Sequence, residues 1–386
     1  MSQRRPMSSS SSPPPPPPPP KREKEVMEPR PSASILLLSP TNQVLLLQRV
    51  KTSTSFASAH VFPGGNLDAF HDGEIPPSHA RQRHEDGHAY RLGAIRECFE
   101  ETGILLATRK NSNDRSTLVN LPSADRDRAR KRIYEGKVRF RDWVDSVGGV
   151  PDTGRLIPFT RWVTPVNVPK RFTTQMYIYM LPPSAPTGAS DMENETIVPT
   201  PDDGVEHTAA KFDDASTWLY RADKGEIILF PPQYYLLHLV SQFCKAPSRG
   251  GAVPGQGHGD DYFASQRRGL LDFLKTVPTP AVTVASSLSP PPPPPTRRHP
   301  TSQIPWAHKV MSPHTLFIRE GDGRVVLGLD KPAPELKGSG RGGDWDRVVL
   351  VKFTRDGPRK VEVRGREEVL REEREAQRSR EPVPRL

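Results

Sequence analysis

The sequence predicts an α/β fold with one sizeable domain, and three observations carry that expectation. Two apolar runs of strand length, Ile35 to Leu38 and Val44 to Leu47, flank a turn at Thr41-Asn42. A helical pattern follows, with Leu92, Ile95 and Phe99 as its apolar contacts and Gly103 as its stop. Further strand-like segments then run from Leu156 to Met180.

Composition limits the packed part. The chain has 386 residues with 45 prolines and 34% hydrophobic residues, which suits one domain with unpacked stretches better than two domains. Cys98 and Cys244 supply neither a disulfide framework nor a zinc pattern, which fits a reducing compartment. No apolar run approaches the ~18 residues that span a bilayer. The net charge of +10 is spread through Arg-rich tails and linkers as well as the folded part. Without aromatics interleaved among basic residues in a groove-reading motif, it gives no reason to expect sequence-specific nucleic-acid binding.

Residues 1–31 begin with Ser8 to Ser12 and Pro13 to Pro20, a composition expected to stay disordered and partly polyproline II. The tract is expected to be a solvated spacer; SH3-type or profilin-type proteins are its possible partners. The folded domain is expected over 32–245. Within it, Val44 to Arg49 forms a hairpin partner from which Arg49 leaves the apolar run towards a ligand. Val61-Phe62-Pro63-Gly64-Gly65 reads as a strand end and a glycine turn that brings backbone close to a ligand. The polar stretch that follows, with His71, His79, His84 and His88, is expected to be a solvated surface loop without core. A helix is expected over Tyr90 to Leu106, a charged one over Asp125 to Gly136 and a short one over Phe140 to Val147. The apolar stretch Tyr234 to Phe243 closes the domain as another. Residues 246–305, rich in Gly, Pro and Ser, are expected to be a disordered linker broken by a short helix at Leu270 to Leu274. Strands at Thr315 to Arg319, Arg324 to Leu329 and Arg347 to Phe353 make a β-rich segment, 306–370, too poor in apolar area to stand alone. It is expected to dock on the main domain, leaving a charged tail, 371–386.

The chemistry concentrates in Arg96-Glu97-Cys98-Phe99-Glu100-Glu101-Thr102-Gly103-Ile104. Glu97, Glu100 and Glu101 stand at i, i+3 and i+4, so a helix gathers their carboxylates on one face, where like charges repel unless cations neutralise them. Oxygen ligands without His or Cys favour Mg²⁺ or Mn²⁺ over zinc.

Together with Gly65, this string resembles the Nudix box, G-x5-E-x7-R-E-U-x-E-E-x-G-U, with Cys98 and Ile104 in the apolar slots. The second half matches at every fixed position. In the first half Gly65 and Arg96 are 31 positions apart where the pattern has 14, an insertion of about 17 residues. His71, Asp72, Glu74, Glu85 and Asp86 lie in that gap, and the sequence leaves open which one replaces the first box Glu. Three later strings, Arg161-Trp162-Val163-Thr164-Pro165, Pro169-Lys170-Arg171-Phe172-Thr173-Thr174 and Gly225 through Gln233, are similar to the long branch related to mammalian peroxisomal coenzyme A diphosphatase.

The resemblance implies a Nudix α/β/α sandwich with a mixed sheet and a metal-dependent hydrolase of phosphoanhydrides in nucleoside diphosphate-linked compounds. It assigns Glu97, Glu100 and Glu101 to metal binding, with Arg96 orienting Glu97. The general base is Glu97 or a later carboxylate, for which Glu206 is the candidate. Gly64, Gly65, Arg49 and Arg171 are candidates for binding substrate; Arg171 could instead pair with a structural carboxylate. Coenzyme A or an acyl-CoA is the implied substrate. ADP-ribose, NADH, dinucleoside polyphosphates and RNA caps remain open, as does a non-catalytic or polyproline-mediated binding role. The ending Pro384-Arg385-Leu386 is close to a tripeptide read by the peroxisomal import receptor, so peroxisome is the expected location, with mitochondrion or cytosol as alternatives.

Overall fold

The computed structural model describes residues 27–50, 58–110, 117–182, 199–200, 207–245, 260–275 and 299–379. The Pro13 to Pro20 and Pro290 to Pro295 tracts, Glu206 and the Pro384-Arg385-Leu386 ending lie outside the described residues.

A mixed sheet organises the molecule. Its spine runs β10 (Val310–Met311), β7 (Ile157–Val163), β8 (Phe172–Met180), β1 (Arg30–Leu38), β2 (Val44–Arg49) and β3 (His60–Val61), with β4 (Gly64–Asn66) paired to β1 and β9 (His207–Asp213) paired to β2. β1 and β8 are parallel in unbroken register from Arg30 opposite Phe172 to Leu38 opposite Met180. Both are buried on both faces, and their side chains divide between two cores by simple alternation. Ala33, Ile35, Leu37, Tyr177 and Tyr179 face one; Leu36, Leu38, Met176 and Ile178 face the other.

The first core is closed by α2 (His88–Thr102), α3 (Ser123–Tyr134) and α4 (Phe140–Ser146), through Leu92, Ile95, Phe99, Ile133 and Trp143. The second is closed by α5 (Ala215–Asp223), α6 (Pro231–Ser241) and α7 (Asp260–Lys275), so that the sheet lies between helical layers. A four-stranded antiparallel sheet, β11 (His314–Ile318), β12 (Val325–Leu329), β13 (Asp344–Thr354) and β14 (Gly357–Gly365), adds Leu327, Leu329, Val349, Val351 and Val361 to that second core. It carries α8 (Arg366–Arg378), which starts before residue 371.

Three expectations need correction. The helix predicted over 90–106 spans His88–Thr102, because Gly103 adopts φ 74° and its N–H caps Phe99 O at 2.8 Å. Leu106 instead leads into a hairpin of β5 (Ala107–Arg109) and β6 (Gly149–Pro151). In the linker, the short helix expected at 270–274 is the 16-residue α7, whose Leu270 and Leu274 are buried in the second core. The stretch between Gly65 and Arg96 is not a solvated loop throughout. It contains a one-turn α1 (Ala69–Asp72), and His71, Asp72 and His84 are buried while His79 and His88 are exposed.

Candidate functional site

The site is built where α2 crosses the glycine turn of β4. Arg96 is its hub. The guanidinium is buried and donates from Nε and Nη2 to the two oxygens of Asp72, both at 2.9 Å. Nη1 reaches Glu97 Oε1 at 2.9 Å and Glu100 Oε1 at 3.2 Å, and Nη2 also donates to the carbonyl of Asn66 at 2.9 Å. One cation thus holds three carboxylates, two of them a turn apart on its own helix.

Asp72 stands one position beyond where the first box acid would fall, and it is wholly buried. Its approach to α2 depends on Gly93, where an added Cβ would lie 2.9 Å from Asp72 Oδ2. The sequence named Asp72 among five candidate residues, four of them acids, without choosing it; its adjacency to the box register was the available signal.

The remaining predicted acid, Glu101, turns to the glycine turn. Its Oε2 accepts from the Gly64 N–H at 2.7 Å, and its Oε1 lies 3.6 Å from Nε2 of the buried His207, a neighbour that sequence reasoning missed. Gly65 leaves room for Glu97, since a Cβ there would lie 2.6 Å from the Glu97 carboxyl. Gly64, at φ 154°, has Ala33 O in the same place at 2.4 Å.

Charge is out of balance in this cluster. Burial pushes the Glu97 pKa up to about 7, with Glu100 and Asp72 adding to the rise and Arg96 opposing it. Burial raises Glu100 as well. Arg96, despite its own burial, is held protonated by Glu97, Asp72 and Glu100. Among the described residues the acids do not converge as a ready-made metal-ligand set. Their donor chemistry nevertheless fits a hard divalent cation, as they are buried oxygens with too little positive charge among them.

The acids open into a cleft of about 1840 Å³ that also holds Gly64, Gly65 and the half-buried Arg49. Arg171 borders it too, but its guanidinium points into the fold. Nε donates to Thr164 O at 3.0 Å, Nη1 to Met27 O at 2.8 Å and to Glu335 Oε1, and Nη2 to Glu335 Oε2 at 3.1 Å. The structural-carboxylate alternative describes this environment.

Residues 77–239 match the family model of the NUDT19 Nudix domain. The acyl-coenzyme A diphosphatase NUDT19 of Gallus gallus is 29% identical over 244 residues, 52% of this chain and 61% of that protein. The protein of the same name from Xenopus laevis is 27% identical over 241 residues, 52% of this chain and 60% of that one. The match thus spans about three-fifths of the length of these curated relatives. A solved NUDIX hydrolase from Alicyclobacillus acidocaldarius aligns with 56% of this chain and 92% of its own at 21% identity and a TM-score of 0.41.

Proposed function

We propose that the chain, which matches the NUDT19 Nudix domain over residues 77–239, is a Nudix hydrolase that cleaves a phosphoanhydride bond in a nucleoside diphosphate-linked compound, with coenzyme A or an acyl-CoA as substrate. The observation that carries the reading is the Arg96 hub, which fixes Glu97 and Glu100 beside the glycine turn at the floor of an open cleft. The names of the chicken and frog relatives support the choice of acyl-CoA.

Glu97, Glu100 and Glu101 would hold Mg²⁺ or Mn²⁺. When bound, the cation supplies Lewis acidity towards phosphoryl oxygens and a more acidic water. The chain's own contribution is alignment and charge, on which phosphoryl transfer chiefly depends. Arg96 and Asp72 hold Glu97 and Glu100 in place, and the Gly64 N–H fixes Glu101. Arg49 binds the substrate's phosphates from the edge of β2. Glu97 accepts the proton of the attacking water, or Glu206 does so. The test is a panel of coenzyme A, acyl-CoAs, ADP-ribose, NADH and dinucleoside polyphosphates incubated with Mg²⁺ or Mn²⁺, with products identified by mass. Release of adenosine 3′,5′-bisphosphate and a 4′-phosphopantetheine product from the CoA compounds is expected. Turnover of none of the panel, or of the others in preference to the CoA compounds, would sink the reading.

A further inference from the structure

The cleft has a second wall that the acid cluster does not explain. It is made by the C-terminal segment, beyond the part of the chain that matches the family model, and it carries cations. Lys331 and Lys337 bracket the turn Lys331-Pro332-Ala333-Pro334-Glu335-Leu336-Lys337, and Arg30 and Lys170 line the same cleft from β1 and the β7–β8 loop. All four are exposed, and among the described residues none forms an ion pair with a carboxylate.

This wall is held by construction. Arg171, buried at 2% exposure, clamps the turn through Glu335 while also holding the carbonyls of Thr164 and Met27. Leu336 and Ala333 pack on Val163 and Val310 beneath it. The Lys331 carbonyl accepts from the Ser312 N–H at 2.7 Å. Between its two prolines Ala333 is forced to φ 111°, a conformation costly for a residue with a Cβ and kept only where surrounding structure imposes it. The strain, the ion pair of Glu335 with the buried Arg171 and the apolar seat fix the direction in which Lys331 and Lys337 leave the backbone. In register, Arg30 N bonds to Arg171 O at 2.9 Å, which brings Arg30 to the same clamp.

We propose that the Lys331–Lys337 turn, with Arg30 and Lys170, is a binding site for a second anionic group of the substrate, a phosphate monoester outside the scissile anhydride, with Arg171 and Glu335 as positioning residues. This deepens the proposed function and rests on it for the identity of the substrate. Two phosphate-bearing ends on one ligand would explain why one cleft has an acid floor, made for a metal-bound anhydride, and a wall of cations that no carboxylate pairs among the described residues.

The test uses the full chain without divalent cations, so that binding is read separately from hydrolysis. Adenosine 3′,5′-bisphosphate and adenosine 5′-monophosphate are titrated by calorimetry at ~0.1 M salt against wild type, the double variant Lys331→Ala/Lys337→Ala and its conservative counterpart Lys331→Arg/Lys337→Arg. Wild type should bind the bisphosphate at least about fivefold more tightly. That ratio should fall towards one in the alanine variant and persist in the arginine variant, with unchanged melting curves for both. Equal wild-type affinities, no binding of the bisphosphate, or a preference that survives the alanine substitutions would overturn the proposal. Failure of the hydrolysis panel with Mg²⁺ would overturn the enzymatic reading separately.

Discussion

Glu100 is the residue on which the proposed chemistry is most directly tested. Removing one carboxylate from a crowded cluster leaves the fold intact, so Glu100→Gln should unfold at or slightly above the wild-type temperature. Its hydrolysis should drop about a hundredfold or more through loss of a metal ligand. More than half the wild-type rate at saturating Mg²⁺ would contradict the assignment. Asp72→Asn makes the opposite trade. It removes the charged bidentate partner of a buried guanidinium that keeps Glu97, Glu100 and the Asn66 carbonyl, and we expect a loss of about 2–3 kcal/mol in a denaturant titration, somewhat below the usual cost of breaking a buried pair. A neutral result would make Asp72 dispensable as the anchor of Arg96. His84 supplies a pH dependence. Burial, then the charge of Arg161, lowers its pKa from 6.5 to about 4. The fold therefore favours the neutral ring, and that stability is fully present above about 6.5 and is lost as the pH falls towards 4. The effect is on the order of 2–3 kcal/mol. Melting temperatures recorded from pH 7.5 to 4.5 should fall less steeply in His84→Gln than in wild type.

At the scale of elements, α2 matters because its ends and its neighbours set where the acids stand. Gly103 ends it in the left-handed region, with Thr200 Oγ1 and Arg126 Cδ 3.0 and 3.2 Å from the place of an added Cβ. Gly103→Ala should therefore destabilise by about 1–2 kcal/mol, read as a lower midpoint in urea. An unchanged midpoint would mean that the cap relaxes without strain. The helical spacing of Leu92, Ile95 and Phe99 in α2 and the apolar runs of β1 and β2 were legible because spacing and run length are local properties of the chain. The bounds of α7 were not, since its amphipathic face is meaningful only against a core assembled from distant segments.

Over the whole molecule, the β11–β14 sheet and the main sheet share one core. Leu327, Leu329, Val349 and Val351 are buried with Leu36, Leu237 and Trp306, and β10 extends the main sheet beside β7. A chain ended after residue 305 would expose this apolar surface, at roughly 25 cal/mol per Å². We expect it to aggregate or to unfold without a cooperative transition in circular dichroism; a soluble fragment with a sharp melt would make the second sheet an independent addition.

Local spacing placed Glu97, Glu100 and Glu101 beside Arg96 on α2, but the way each carboxylate turns was not local: Glu97 and Glu100 take Arg96, while Glu101 takes the Gly64 N–H. Which acid completes the hub was not local, because Asp72 and Arg96 are separated by an insertion whose path only packing decides. Arg171 illustrates the same limit: its guanidinium suited either a substrate phosphate or a structural carboxylate, and Glu335, 164 residues away, claims it. Sequence determined which groups could do the chemistry. Tertiary structure decided which charges neutralise one another, because a buried ion pair depends on partners that the chain brings together only once it has folded.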